Sequence, residues 1–120
     1  MNAFSEFAKG LGQLGMAGQT AAMRGKSIIV SAFLRHGLSE ADATYDTIYL
    51  TPKEYRSMGF DTRDGGSAYI ITEGTLHSMM NGYMGSGGQK IADEIIDKME
   101  NAGYLFDQKD GVTFVMFKEG

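Results

Sequence analysis

The sequence predicts an α+β fold, a small single domain carrying a helical arm at its N-terminus, and three stretches support that reading. Residues 47–54, TIYLTPKE, pass from a β-branched and aromatic run straight into a helix start. Residues 87–102 put Ile91, Ile95, Ile96 and Met99 at the spacings of one helical face. Residues 104–117, YLFD, QKDG and VTFVMF, are two apolar runs around a four-residue turn that ends in glycine, which is hairpin chemistry. A chain of 120 residues corresponds to one domain, able to bury roughly two thirds of its surface and form a core without staples. It contains no cysteine, so no disulfide contributes.

Residues 1–26 read as a glycine-rich amphipathic arm and residues 27–120 as the domain. In the arm, Phe4, Phe7, Leu11 and Leu14 recur at spacings of three and four. Gly10, Gly12, Gly15 and Gly18 oppose that helix, each by about 1 kcal/mol relative to alanine. The expectation is a helix that forms fully only when its Phe/Leu stripe is covered by the domain, a second subunit or a partner, and a homodimer is expected. Residues 27–37, SIIVSAFLRHG, contain an apolar run that suits a buried strand and a buried helix alike. Their ending favours a helix: Arg35 and His36 would face the negative end of the dipole, and Gly37 supplies a left-handed turn.

A polar connector, SEADATYD, leads to a strand at Thr47–Leu50. Thr51, Pro52, Lys53 and Glu54 then form a capping box with proline at the first helical position, starting a short helix that Gly59 ends. Residues 61–66, DTRDGG, are dense in turn formers; Asp61 and Asp64 lack the alternating ligands and terminal glutamate of a calcium loop. A strand over 67–72 and a helix over about 74–82 follow.

Residues 82–90, GYMGSGGQK, hold four of the 17 glycines and invite comparison with a phosphate cradle. The comparison fails. A Walker A loop needs a hydroxyl residue after its lysine, where Ile91 stands, and a dinucleotide fingerprint needs a third glycine where Lys90 stands. Ser86 to Gln89 instead fits a capping box for a helix from Gly87 to Ala102. Gly87, Gly88 and Lys90 stay as an anion-binding candidate, because bare amides at a helix start attract negative charge. In the last strand Val112, Phe114 and Met116 share one face and Val115 and Phe117 the other. One face is core; the other needs a cover, the arm being the nearest, or is a binding surface.

Lys9, Arg24, Lys26 and Arg35 against Glu6 make residues 1–36 basic by +3, whereas the remaining 84 residues hold 14 acids and seven bases, a charge of −7. The net charge is −4. A basic arm on an acidic body suits contact with nucleic acid, or folding back on the body itself. No apolar run approaches the roughly 20 residues of a membrane span, and no secretory core is evident near the start, so a cytoplasmic protein is expected. Enzyme chemistry finds little support. The two histidines, His36 and His77, lack metal-ligand spacing, and Ser86 lacks the setting of a nucleophile elbow. No catalytic residue, metal or cofactor is expected.

The order strand, helix, tight turn, helix, strand, turn, strand over residues 67–117, and the phrase KMENAGYLFDQKDGVTFVMF within it, resemble the second half of a winged-helix domain. That resemblance implies DNA contacts from Gln89, Lys90, Asp93 and Asp97 on the third helix and from Gln108 and Lys109 on the wing. The charge opposes the implication, because residues 87–102 carry two lysines and four acids, and a helix meant for the groove should be basic. The leading expectation is therefore a non-enzymatic protein-binding regulator, similar in size to small inhibitors and adaptors encoded by phages and mobile elements. Its expected partner-contacting residues are Phe4, Phe7, Leu11, Tyr104, Phe106, Phe114 and Phe117. The alternative is a nucleic-acid-binding regulator using Lys9, Arg24, Lys26 and Arg35.

Overall fold

Thr20 opens the first element by accepting a hydrogen bond from the Met23 amide at 3.1 Å, which satisfies one of the free donors of helix α1, Ala21–Arg35. The computed structural model describes residues 20–119. The ambiguous run 27–37 is thus helical, and the expected boundary between residues 26 and 27 falls inside one continuous helix. Ala22, Gly25, Ile29, Ala32 and Phe33 form its buried face. His36 caps it and Gly37, at φ 81°, turns the chain away, as the Arg-His-Gly ending predicts.

The supposed connector is a second helix, α2, Glu40–Thr44, started by a capping box in which Ser39 and Asp42 bond each other's backbone. The S-x-x-D signal was present in the sequence, but only Ala43 of this short helix is buried, so no apolar period announced it. Strand β1, Thr47–Leu50, and helix α3, Pro52–Ser57, follow as expected, with the Thr51 and Glu54 capping box formed at 3.1 and 2.9 Å. Strand β2 is Ala68–Thr72, helix α4 Thr75–Met80, helix α5 Gly85–Asn101, strand β3 Tyr104–Gln108 and strand β4 Thr113–Lys118.

The strands form one antiparallel sheet in the order β1-β2-β4-β3, with Ile48 opposite Ile71, Tyr69 opposite Val115, and Leu105 opposite Phe117. Alternation along each strand then sorts the side chains. Ala68, Ile70, Tyr104, Phe106, Phe114 and Met116 join Ile29, Phe33, Leu76, Ile91, Ile95 and Met99 of α1, α4 and α5 in the main core. On the opposite face Leu50, Tyr69 and Val115 pack with Tyr55 of α3 as a second, smaller cluster. Among the described residues α3, through Tyr55, packs on Val115 of the second face of β4; residues 1–19 of the arm that the sequence nominated as cover lie outside the described residues. Tyr55 stacks on Tyr69 at 3.9 Å between ring centroids and on Phe60 at 4.7 Å.

The start of α5 also differs from expectation. Ser86 is not its cap: the helix begins two residues earlier, at Gly85, behind Met84, with no side chain capping it. Gly82 at φ 81° and Gly85 at φ 69° reverse the chain within the α4–α5 turn, and the Met84 carbonyl takes the Gly88 amide at 3.3 Å. Gln89, expected to reach back to the cap, instead donates to Asp93 at 2.9 Å along the helix.

Candidate interaction surfaces

Tyr104, Phe106 and Phe114 are buried in the main core, so the aromatic residues nominated as partner contacts spend their apolar area inside the domain. Phe117 is half-buried against the smaller cluster. Phe4, Phe7 and Leu11 lie outside the described residues, as does Lys9.

The other nominated cations do not converge. Helix α1 crosses the sheet, and Arg24 lies over the ring of Tyr104 in edge strand β3 at 5.5 Å while Lys26 lies over Tyr49 in the opposite edge strand β1 at 6.0 Å. Arg35, at the far end of the helix, donates to Glu94 of α5 at 3.0 Å, and His36 meets the other oxygen of that carboxylate at 3.3 Å. Hydrogen bonding from Arg35, then from His36, holds the Glu94 carboxyl below its ordinary range. These bases tie α1 to the body in three separate places and form no common patch.

Lys109, expected at the tip of a wing, is folded down. Its ammonium donates to the Asp61 carbonyl at 2.9 Å, pairs with Asp64 at 3.0 Å and sits 5.0 Å from the Tyr55 ring. Asp64 also accepts from the Tyr69 hydroxyl and from the Gly66 amide. Burial raises the Asp64 pKa, but these three donors outweigh it and the carboxyl lies below its usual value. Burial and the bond to Asp64 together push Tyr69 up to about 12. Asp61 and Asp64 thus serve as internal acceptors that pin the β3–β4 hairpin to the loop after α3, and among the described residues no group of carboxylates and histidines is placed to hold a metal. His77 has a structural task as well, its Nε2 lying 2.8 Å from the Gly111 carbonyl in the hairpin turn.

On the outward side of α5, Gln89, Lys90, Asp93, Ile96, Asp97, Lys98 and Glu100 are exposed. Of the anion candidates, Gly88 is buried and its amide is already engaged, while Gly87 and Lys90 are open to solvent. At the head of this face the α4–α5 turn presents Tyr83, 75% exposed, and Met84; Ile96 lies further along at 40%. Sequence reasoning treated Tyr83 as part of a turn and passed over it.

A second surface that the sequence did not reveal lies at the β1 edge of the sheet. Tyr45, Asp46 and Ile48 are exposed there, and Thr44, Asp46, Thr47, Ile48, Ile71 and Glu73 line an open depression of about 310 Å³. Asp46 adopts φ 49°, and its carbonyl receives the Glu73 amide at 3.0 Å, which draws the two acidic residues together. No family model, curated protein or solved structure matches this chain. No helix among the described residues is long and apolar enough to cross a membrane.

Proposed function

We propose that this chain is a non-enzymatic protein-binding regulator on a winged-helix-like frame. The observation that carries the reading is the exposed side of α5: Asp93, Asp97 and Glu100 outnumber Lys90 and Lys98 there, and the exposed apolar side chains of Tyr83, Met84 and Ile96 accompany them. Phosphate neutralisation supplies nearly all non-specific affinity for nucleic acid, and an acidic face works against it. Exposed aromatic and methionine side chains suit a protein surface instead. The frame draws support from the succession β2, α4, α5, β3, β4 and from the neighbour order β2-β4-β3, which together describe a strand, two helices and a returning hairpin.

Titration of the full-length chain with fluorescent duplex and single-stranded oligonucleotides across salt concentrations tests this reading. Negligible binding is expected at about 150 mM salt, where surface charges further apart than about 8 Å are largely screened. Sub-micromolar binding with a steep salt dependence would overturn it in favour of the nucleic-acid alternative.

A further inference from the structure

The geometry points to the free edge of β1 as a docking site for an extended segment of another protein that carries basic and small aliphatic side chains together on one face; this inference rests on the protein-binding reading above. Strand β1 is the outer member of the sheet, hydrogen-bonded to β2 on one side only. Among the described residues its other side meets no strand and offers backbone donors and acceptors, which an added strand satisfies. Two of the devices that blunt an edge, lysine and proline, are missing from Thr47, Ile48, Tyr49 and Leu50.

Side chains on the outward face then give the edge a chemical preference. Ile48 and Ile71 stand directly opposite each other across β1 and β2, so their side chains share this face, and Ile48 is 44% exposed. Helix α3 covers the Leu50 end of the same face through Tyr55. Six residues of helix span only about 9 Å, and the Ile48 end is left open. Asp46 and Glu73 flank that open end, and neither carboxylate belongs to an ion pair among the described residues.

The acids decide between occupants. Two copies of this chain paired edge to edge through β1 would leave Asp46 and Glu73 of both uncompensated, because Thr47, Ile48, Tyr49 and Leu50 carry no base. A strand that places lysine or arginine on its outward face and a small aliphatic residue two positions away, on that same face, compensates the carboxylates and covers the isoleucines.

The probe is a capped heptapeptide, Thr-Lys-Thr-Val-Thr-Lys-Thr, whose lysines and valine share one face of a strand, added to the isotope-labelled full-length chain and followed by amide and methyl NMR. Controls of the same length replace both lysines with glutamate, or the valine with glycine. Expected are saturable shifts, at millimolar peptide or below, of the amides of residues 46–50 and the methyls of Ile48 and Ile71, with slowed exchange of β1 amides. Ile48→Lys should weaken binding at least tenfold, and Asp46→Asn with Glu73→Gln should weaken it and remove its salt dependence. Asparagine tolerates the left-handed backbone at position 46, so the double variant keeps the loop. No shifts at millimolar peptide, shifts confined to β3 or the α4–α5 turn, or equal shifts from either control would overturn the proposal. Because the oligonucleotide titration is read separately, a failed edge site with still-negligible nucleic-acid binding sinks this inference alone.

Discussion

Gly74 shows how a single residue can be fixed by packing. A β-carbon placed on it would collide with the carbonyl of Tyr45, which is backbone and has no rotamer to yield. That contact draws the chain after β2 against the chain before β1, where Thr47 and Thr72 also share a buried hydroxyl hydrogen bond of 2.7 Å. Gly74→Ala is expected to destabilise the domain by about 1–3 kcal/mol, the usual cost of overpacking a site that cannot relax. Chemical denaturation would detect it as a lower midpoint with an unchanged slope. In the sequence Gly74 precedes TLHSMM and looks like any helix-flanking glycine; the residue that constrains it is 29 positions away, and nothing local reports that.

At the scale of the element, the two proposed capping boxes separate cleanly. Thr51 caps α3 with both reciprocal bonds in place, whereas Ser86 lies within the first turn of α5 and makes no hydrogen bond through its side chain among the described residues. Thr51→Ala should therefore cost about 0.5–2 kcal/mol. Ser86→Ala should be neutral or slightly stabilising, since alanine has the higher helix propensity. Thermal melts of the two variants beside the parent check the contrast, and a loss for Ser86→Ala as large as that for Thr51→Ala would contradict the assignment of Met84 as the residue ahead of the helix. The box at Thr51 was legible because proline and the capping pair fix the register of a helix start within four residues. The box at Ser86 misled because the glycines at 82 and 85, both at positive φ, let the helix begin earlier than its side chains suggested.

For the whole molecule, several carboxylates couple stability to pH. Hydrogen bonds from the Arg63 side chain and amide hold Asp61 at about 2, donors from Ser39 lower Asp42, and Glu94 and Asp64 are lowered by the partners described above. A carboxyl whose pKa is lower folded than unfolded adds stability above its unfolded value, near 4, and loses it as pH falls through the folded value. Melting temperature should thus be flat from about pH 5 to neutrality and fall between about pH 4 and 2. Tyr69 has the opposite sign: raised to about 12, it contributes below its ordinary value near 10 and loses that contribution as pH climbs towards 12. Melts at constant ionic strength test both limbs. Asp64→Asn should shrink the acid limb, and an unchanged acid limb in that variant would show that the hairpin pin carries none of it.

The sequence by itself determined the α+β class, the strand at residues 47–50, the helix before Gly59, the amphipathic face of α5 and the closing hairpin, because each is written in side-chain period, capping pairs or turn residues within a window of a few positions. It also made legible the acidic outward face of α5, since helical spacing alone groups Asp93, Asp97 and Glu100. Tertiary structure decided which face of β4 each helix covers, and it drew Tyr104, Phe106 and Phe114 into the core when they had been nominated as contacts. It sent Arg24 and Lys26 to opposite edges of the sheet, and it left β1 outermost with Ile48, Ile71, Asp46 and Glu73 around one depression. The physical reason is the order β1-β2-β4-β3: strand neighbours are chosen by how much apolar surface the whole sheet buries against its helices, a sum over residues far apart in the chain that no local window contains.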